Sequence, residues 1–318
     1  METLNIPHLL VIGGSGFIGH HLLKASLQKE WLVSSVSLNP PTKERFVDGV
    51  RYLQLDLTDR LLVKELLGED FDYVVNLGGY INHKLFKDGG RNLIDTHFIT
   101  IQNLVEVLPR NKLKRFVQIG SSDEYGNAPA PQNEKMREQP ISPYSLAKVA
   151  STHFLQMLHR TENFPAVILR LFLTYGPGQD AGRFLPQIIC SCLNNDTFPV
   201  SAGTQLRDFC YIDDTVSAIF QALEKQEVNG EVLNVASGEP VKIRDMIEKV
   251  CTLTGSGKPQ YGKVSYRPGE NMALYANISK EKKILQWEPT TNIDKGLQKT
   301  INYFDNNINT RKTLVGLI

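Results

Sequence analysis

The sequence predicts an α/β protein built on a doubly wound parallel sheet, with a smaller mixed α/β domain toward its C-terminal end. A short apolar run, His8–Ile12, stops at Gly13-Gly14-Ser15-Gly16-Phe17-Ile18-Gly19, and residues at helical spacing follow. Apolar runs then alternate with helix-patterned segments to about residue 180, beyond which segments are mixed and loops longer. Alternating strand and helix points to a parallel sheet, because a parallel crossover needs a connection long enough to hold a helix.

The 318 residues, 41% hydrophobic and 22% charged, have globular composition and suit one large domain or two fused ones. The expected division is residues 1–180 and 181–318, with the chain crossing back around 205–240. A formal net charge of +1 with no long basic run argues against a nucleic-acid partner. No apolar run is long enough to span a membrane, and Met-Glu-Thr-Leu-Asn-Ile-Pro-His lacks a basic region followed by an apolar one. A cytoplasmic protein without a membrane partner is expected. Cys190, Cys192, Cys210 and Cys251 form neither a metal-like set nor a disulfide framework, so no metal is expected.

In chain order, His8–Ile12 reads as a buried strand and His20–Leu27 as the helix after the glycines. The spacing Gly13-x-x-Gly16-x-x-Gly19 between strand and helix is a dinucleotide fingerprint. One glycine makes the tight turn, one lets backbone approach a pyrophosphate, and one lets helix pack on strand; amides at the helix start meet the phosphates. Gly13, Ser15, Gly16, Phe17, Ile18 and Gly19 are therefore candidate cofactor contacts. Leu32–Leu38 is the second strand. Its end carries no acid for a ribose 2′-hydroxyl, whereas Asn39, Lys43 and Arg45 follow. That favours NADP, with NAD the alternative. Val50–Leu55 is the third strand, and Thr58 or Asp59 caps the next helix. Asp56, with Leu57 beside it, is placed to meet the adenine. Tyr73–Leu77 is the fourth strand. Leu77 and Gly78 lead into Gly79-Tyr80, small residues against which a cofactor can lie, and His83 follows in a loop over the cleft.

Asp95–Leu108 reads as helix and Lys114–Ile119 as the fifth strand, which runs into Gly120-Ser121-Ser122-Asp123-Glu124-Tyr125-Gly126. Hydroxyls and carboxylates at the carboxyl end of a parallel strand lie where such sheets bind ligands. In Ser142-Pro143-Tyr144-Ser145-Leu146-Ala147-Lys148, Pro143 suits a first helical turn, and the helix runs to about Thr161. Tyr144 and Lys148 then share a helix face. A phenol titrates near about 10, and a neighbouring ammonium favours its phenolate, which suits acid–base chemistry. Ala166–Phe172 is the sixth strand. Further on, Arg183, Arg207 and Arg267 lie in loops, where guanidinium forks suit a diphosphate. Asp208–Asp214 leads into a helix Thr215–Leu223 with Asp213 or Asp214 as cap.

Together these segments resemble the extended short-chain dehydrogenase/reductase family, in its nucleotide-sugar epimerase/dehydratase/reductase branch. The matching residues are Gly13–Gly19, Asp56-Leu57-Thr58-Asp59, Ser121-Ser122, Tyr144-x-x-x-Lys148, Arg170 with Tyr175-Gly176-Pro177-Gly178, Arg207–Asp214 and Arg267-Pro268-Gly269-Glu270, spanning roughly residues 8–305. The resemblance implies a Rossmann domain, a C-terminal substrate domain, a nucleoside-diphosphate sugar in the cleft and a homodimer through the Tyr144 helix and the helix before it. It implies that Tyr144 exchanges a proton with the sugar oxygen. Lys148 holds the nicotinamide ribose and lowers the Tyr144 pKa. A serine hydroxyl binds the reacting oxygen, and His83, Asp123, Arg183, Arg207 and Arg267 face the substrate.

The reaction type depends on register within Gly120–Gly126. Counting back from Tyr125-Gly126 puts the catalytic hydroxyl on Ser121, followed by Ser122 and Asp123, as in the similar stretches of GDP-4-keto-6-deoxymannose reductases. Counting forward, Ser122-Asp123-Glu124 is similar to the Thr-Asp-Glu of sugar 4,6-dehydratases, which need an acid and a base. The first register is preferred. It predicts an NADPH-dependent 4-ketoreductase for bacterial surface-polysaccharide synthesis, with 4-epimerase or 4,6-dehydratase as the alternative, and a non-catalytic dinucleotide-binding regulator as the rival from another class. Leu173 and His97 stand where the branch often has asparagine.

Overall fold

A computed structural model describes residues 6–66, 69–267 and 269–315. Met1–Asn5, read above for a leader segment, and Pro268 of the Arg267–Glu270 stretch lie outside the described residues.

The chain opens with β1 (His8–Ile12), α1 (Phe17–Gln28), β2 (Leu32–Ser37), β3 (Arg51–Gln54), α2 (Arg60–Leu66) and β4 (Tyr73–Asn76). It continues with α3 (Gly90–Ile94), a π-helical turn at Asp95–Ile99, α4 (Thr100–Val107), β5 (Arg115–Ser121), α5 (Pro143–Glu162) and β6 (Ala166–Leu171). These strands pair in parallel in the order β3-β2-β1-β4-β5-β6. The order reverses between β1 and β4, which opens a crevice at their carboxyl ends. Leu9, Leu10 and Val11 of β1 are fully buried, as expected for a strand covered on both faces.

The remainder comprises β7 (Leu173–Tyr175), α6 (Phe184–Leu193), β8 (Thr197–Pro199), β9 (Leu206–Tyr211), α7 (Ile212–Glu224), β10 (Val232–Val235), β11 (Pro240–Lys242), α8 (Ile243–Thr254), β12 (Lys258–Gln260), β13 (Ala273–Leu274), α9 (Ser279–Ile284) and α10 (Ile293–Val315). β10 joins the main sheet beside β6 as a seventh parallel strand, and α7 packs on α1. A second sheet gathers β7, β11 and β13 around β9, and β8 pairs with β12. The doubly wound α/β reading is therefore correct.

Local chemistry sets the helix starts near the crevice. Ser142 caps α5: its hydroxyl accepts the Ser145 amide at 3.1 Å, the Ser145 hydroxyl accepts the Ser142 amide at 3.0 Å, and Pro143 occupies the first turn. Asp59, rather than Thr58, caps α2 by accepting the Leu61 and Leu62 amides at 3.0 and 3.3 Å. The expected cap on α7 is not found. Asp213 and Asp214 lie inside its first turn, and the buried Asp214 carboxylate binds the amides of Thr290 and Thr291 instead, at 2.9 and 3.1 Å. The helix expected at Asp95–Leu108 begins at Gly90 and contains the π turn, an inserted residue that breaks the helical periodicity.

Candidate active site

The glycine loop links β1 to α1 at the crevice. Gly13 has φ +79°, a left-handed conformation that favours glycine. A Cβ on Gly19 would lie 2.4 Å from the Gly13 carbonyl oxygen, so only glycine lets α1 pack there. Gly16 is the N-cap of α1 and supplies no side-chain cap, which leaves the Phe17 and Ile18 turn able to meet an anion. Backbone atoms of Leu77 and Gly78 lie 3.1–3.2 Å from where a Gly13 Cβ would be, so the loop after β4 rests on the glycine turn. These cradles fit a dinucleotide.

At the end of β2 the Ser37 hydroxyl accepts the Ser15 amide at 3.3 Å, and Leu38, Asn39 and Lys43 are exposed. Arg45 does not stand free beside them. Its guanidinium donates to the carbonyls of Ser15 at 3.3 Å and Gly178 at 3.2 Å and pairs with Asp180 at 2.6 Å. One oxygen of Asp56 accepts the Thr58 amide at 2.9 Å; Leu57 is buried and its carbonyl takes the Asn103 amide group at 2.9 Å.

On α5, Tyr144 and Lys148 are one turn apart and both buried. The Lys148 ammonium donates to the Ile119 carbonyl at 2.8 Å and sits 5.9 Å from the Tyr144 ring centroid. Ser121 ends β5, and its side chain acts to lower the pKa of the Tyr144 phenol. The Ser121 hydroxyl also accepts the Asp123 amide at 3.1 Å, which leaves its own hydrogen free to donate. Ser122 is buried in the turn that follows.

The two neighbouring carboxylates part company. Asp123 keeps 30% of its side chain exposed and lies 3.8 Å from His83. Burial raises its pKa, opposed by His83, Arg207 and Arg267. Glu124 has no exposure. Its carboxylate accepts the Ser121 amide, the Thr152 hydroxyl and Arg170 Nε, each at 2.9 Å. Gly120 is required there, since a Cβ would lie 2.5 Å from Glu124 Oε1. Arg170, fully buried, also pairs with Glu138 at 2.6 Å.

A cavity of about 460 Å³ opens beside this group, lined by Ile81, Asn82, His83, Lys84, Arg183 and Arg267. Lys84, Arg183 and Arg267 surround it with positive charge. Arg207 is brought near Asp123 but is ion-paired with Glu270. Leu173 is partly exposed on β7.

One electrostatic expectation is overturned. Burial pushes the Tyr144 pKa well above its usual range, reinforced by Asp123 and only partly opposed by Ser121, so the phenol stays protonated at neutral pH. Lys148 is the group that moves down, to about 8, because burial penalises its ammonium more than Glu124 supports it. Sequence spacing does not show Glu124 as a support for Ser121, nor Arg170, matched above by resemblance, as the partner of Glu124. The nearest signal is the carboxylate three residues beyond a serine at a turn, the capping-box pattern. Among the described residues no group of His, Cys, Asp and Glu could hold a metal, and no helix is long and apolar enough to cross a membrane.

The NAD dependent epimerase/dehydratase family model matches residues 9–236. The low-salt glycan biosynthesis protein Agl12 of Haloferax volcanii is 27% identical over 93% of this chain and 98% of its own. The dTDP-glucose 4,6-dehydratase of Haemophilus influenzae is 26% identical over 93% and 97%. Among solved structures, the UDP-glucuronic acid 4-epimerase of Bacillus cereus, in complex with UDP-glucuronic acid and NAD, aligns with a TM-score of 0.85 at 28% identity, covering 94% of this chain and 99% of that one.

Proposed function

We propose, from the premise that this chain belongs to the NAD dependent epimerase/dehydratase family, that it reduces a 4-keto-6-deoxy nucleoside-diphosphate sugar to the 4-hydroxy sugar, using NADPH, for surface-polysaccharide synthesis. The observation that carries the choice of reduction is the burial of Glu124. Of the two carboxylates after Ser121, only Asp123 reaches the cleft. Elimination of water across two carbons needs an acid and a base, and Glu124 is fully committed to Ser121, Thr152 and Arg170.

A nicotinamide dinucleotide, which the Gly13–Gly19 turn and Lys148 would hold, would supply hydride chemistry when bound. Tyr144, held protonated by burial, donates its proton to the ketone oxygen. Ser121 donates a hydrogen bond to the same oxygen and so polarises the carbonyl. Lys148, anchored on the Ile119 carbonyl, has two further N–H groups for ribose hydroxyls. Arg183, Arg267 and Lys84 hold the diphosphate, and Arg207 joins them by exchanging its Glu270 contact. NADPH is favoured because β2 ends in Ser37 without a carboxylate, with Asn39 and Lys43 exposed beside it. A 2′-phosphate would also draw Arg45 from its exposed partner Asp180. The exposed Leu146 and Met157 of α5 support a homodimer through that helix and the one before it, which light scattering tests.

The second reading, a 4-epimerase or 4,6-dehydratase with bound NAD, is favoured by Asp123 beside Tyr144 and by the activities of the relatives. The test is cofactor stoichiometry with the dTDP-linked product of a dTDP-glucose 4,6-dehydratase. A reductase consumes one NADPH per ketone lost. Turnover of a nucleotide sugar with no net change in NAD(P)H overturns the reductase.

A further inference from the structure

His97 is the one buried residue of the π-helical turn Asp95–Ile99, and such turns recur at functional positions. Its imidazole touches two parts of the site. Nε2 lies 3.0 Å from the Tyr80 carbonyl oxygen. Burial, reinforced by the Lys148 ammonium, pulls the ring pKa down to about 3, so the ring is neutral. A carbonyl only accepts, so the proton resides on Nε2 and donates to Tyr80, and Nδ1 is an unprotonated lone pair. The ring also meets Tyr144 edge-on, with centroids 5.1 Å apart and planes at 76°.

The loop is shaped around this ring. Gly79 has φ +103°, and a Cβ there would lie 2.1 Å from His97 Cε1 and 2.5 Å from Nδ1. The Tyr80 side chain is 50% exposed, and its ring lies tilted against the His97 ring with centroids 6.4 Å apart. The next hydrogen bond along, Lys84 amide to Asn82 at 2.9 Å, is internal to the loop. The same loop begins at Leu77 and Gly78, which rest on Gly13 of the dinucleotide turn.

We infer that His97 is a positioning residue with two separable duties: its N–H holds the Gly78–Tyr80 loop against the dinucleotide-binding turn, and its ring holds the Tyr144 phenol in line with Ser121. This rests on the reading of Tyr144 as proton donor. Two substitutions divide the duties. His97→Gln keeps a donor that can reach the Tyr80 carbonyl and loses the ring. His97→Phe keeps a ring and loses the donor.

The experiment measures kcat and the NADPH KM of each variant with the dTDP-linked 4-keto sugar, after circular dichroism shows the fold intact. His97→Gln should lose about tenfold or more in kcat with the NADPH KM within about twofold. His97→Phe should raise the NADPH KM about fivefold or more and keep kcat within about threefold. Gly79→Ala, whose Cβ displaces the ring, should show both losses together. Wild-type constants in all three variants, or equal losses in kcat and KM for both His97 variants, overturn the inference. A wild-type enzyme inactive on 4-keto sugars overturns the functional reading instead. The loop duty is then read from NADPH titration by fluorescence, where His97→Phe must bind more weakly than His97→Gln.

Discussion

The Glu124 carboxylate accepts the backbone amide of Ser121 at 2.9 Å while the Ser121 hydroxyl accepts the Asp123 amide at 3.1 Å. This reciprocal turn faces Ser121 toward Tyr144 and draws Glu124 out of the cleft. Thr152 of α5 and Arg170 of β6 bind the same carboxylate, so one buried charge ties together β5, β6 and the helix that carries Tyr144 and Lys148.

Replacing Glu124 by Ala should therefore be costly to the fold. Arg170 would keep Glu138 but lose its fully buried partner. Removing one side of a buried ion pair costs about 3–5 kcal/mol. A urea or thermal unfolding curve checks this, and a loss below about 1 kcal/mol, the range of surface pairs, would contradict it.

Tyr144→Phe removes the proposed proton donor and keeps the ring. Turnover should fall by about 10²–10⁴-fold, the usual worth of a positioned acid. NADPH affinity should stay close to wild type. Fluorescence titration beside a steady-state assay checks both, and substantial residual turnover would exclude the donor role.

The pH profile of kcat/KM should carry an alkaline limb near the Lys148 pKa of about 8. The ammonium proposed to hold the ribose is present below that pH and lost above it, so activity should fall as pH rises. Tyr144 titrates above its usual range and cannot produce this limb. Lys148→Met should lower activity at all pH values and flatten the limb. A limb unchanged in that variant assigns it elsewhere.

Placing a carboxylate at the end of β2 should move cofactor preference. Ser37→Asp adds at the end of β2 the kind of acid that holds a ribose 2′-hydroxyl in dinucleotide folds, and the ratio of kcat/KM for NADH over NADPH should rise by about tenfold or more. A wild type that already prefers NADH would reverse the NADPH assignment.

Asp123→Asn separates a ketoreductase from a 4,6-dehydratase. A ketoreductase that uses Tyr144 as its acid should retain turnover within about tenfold, because Asp123 moves no proton in that step. An enzyme that removes water or a proton from a neighbouring carbon should lose nearly all of it. Nucleotide-sugar turnover by wild type and variant, followed as 4-ketone consumed from the keto sugar or formed from its 4-hydroxy precursor, decides the case.

Much of the architecture could be read from the residues alone. The strand–glycine–helix passage at His8–Gly19 and the apolar runs of β1, β4 and β5 depend on neighbours in sequence, where periodicity and backbone sterics act directly. The Tyr144–Lys148 spacing likewise needs only a helix. Three decisions belong to the tertiary structure. Glu124 and Asp123 are adjacent, yet one is sealed against Arg170 and the other faces the cleft. Arg45 and Arg207 read as free cations, yet Asp180 and Glu270, more than sixty positions away in each case, engage them. Burial also set the ionisation of Tyr144 and Lys148 against the simple pairwise expectation. Desolvation and long-range ion pairing depend on which distant segments cover a group, and local spacing carries no record of that.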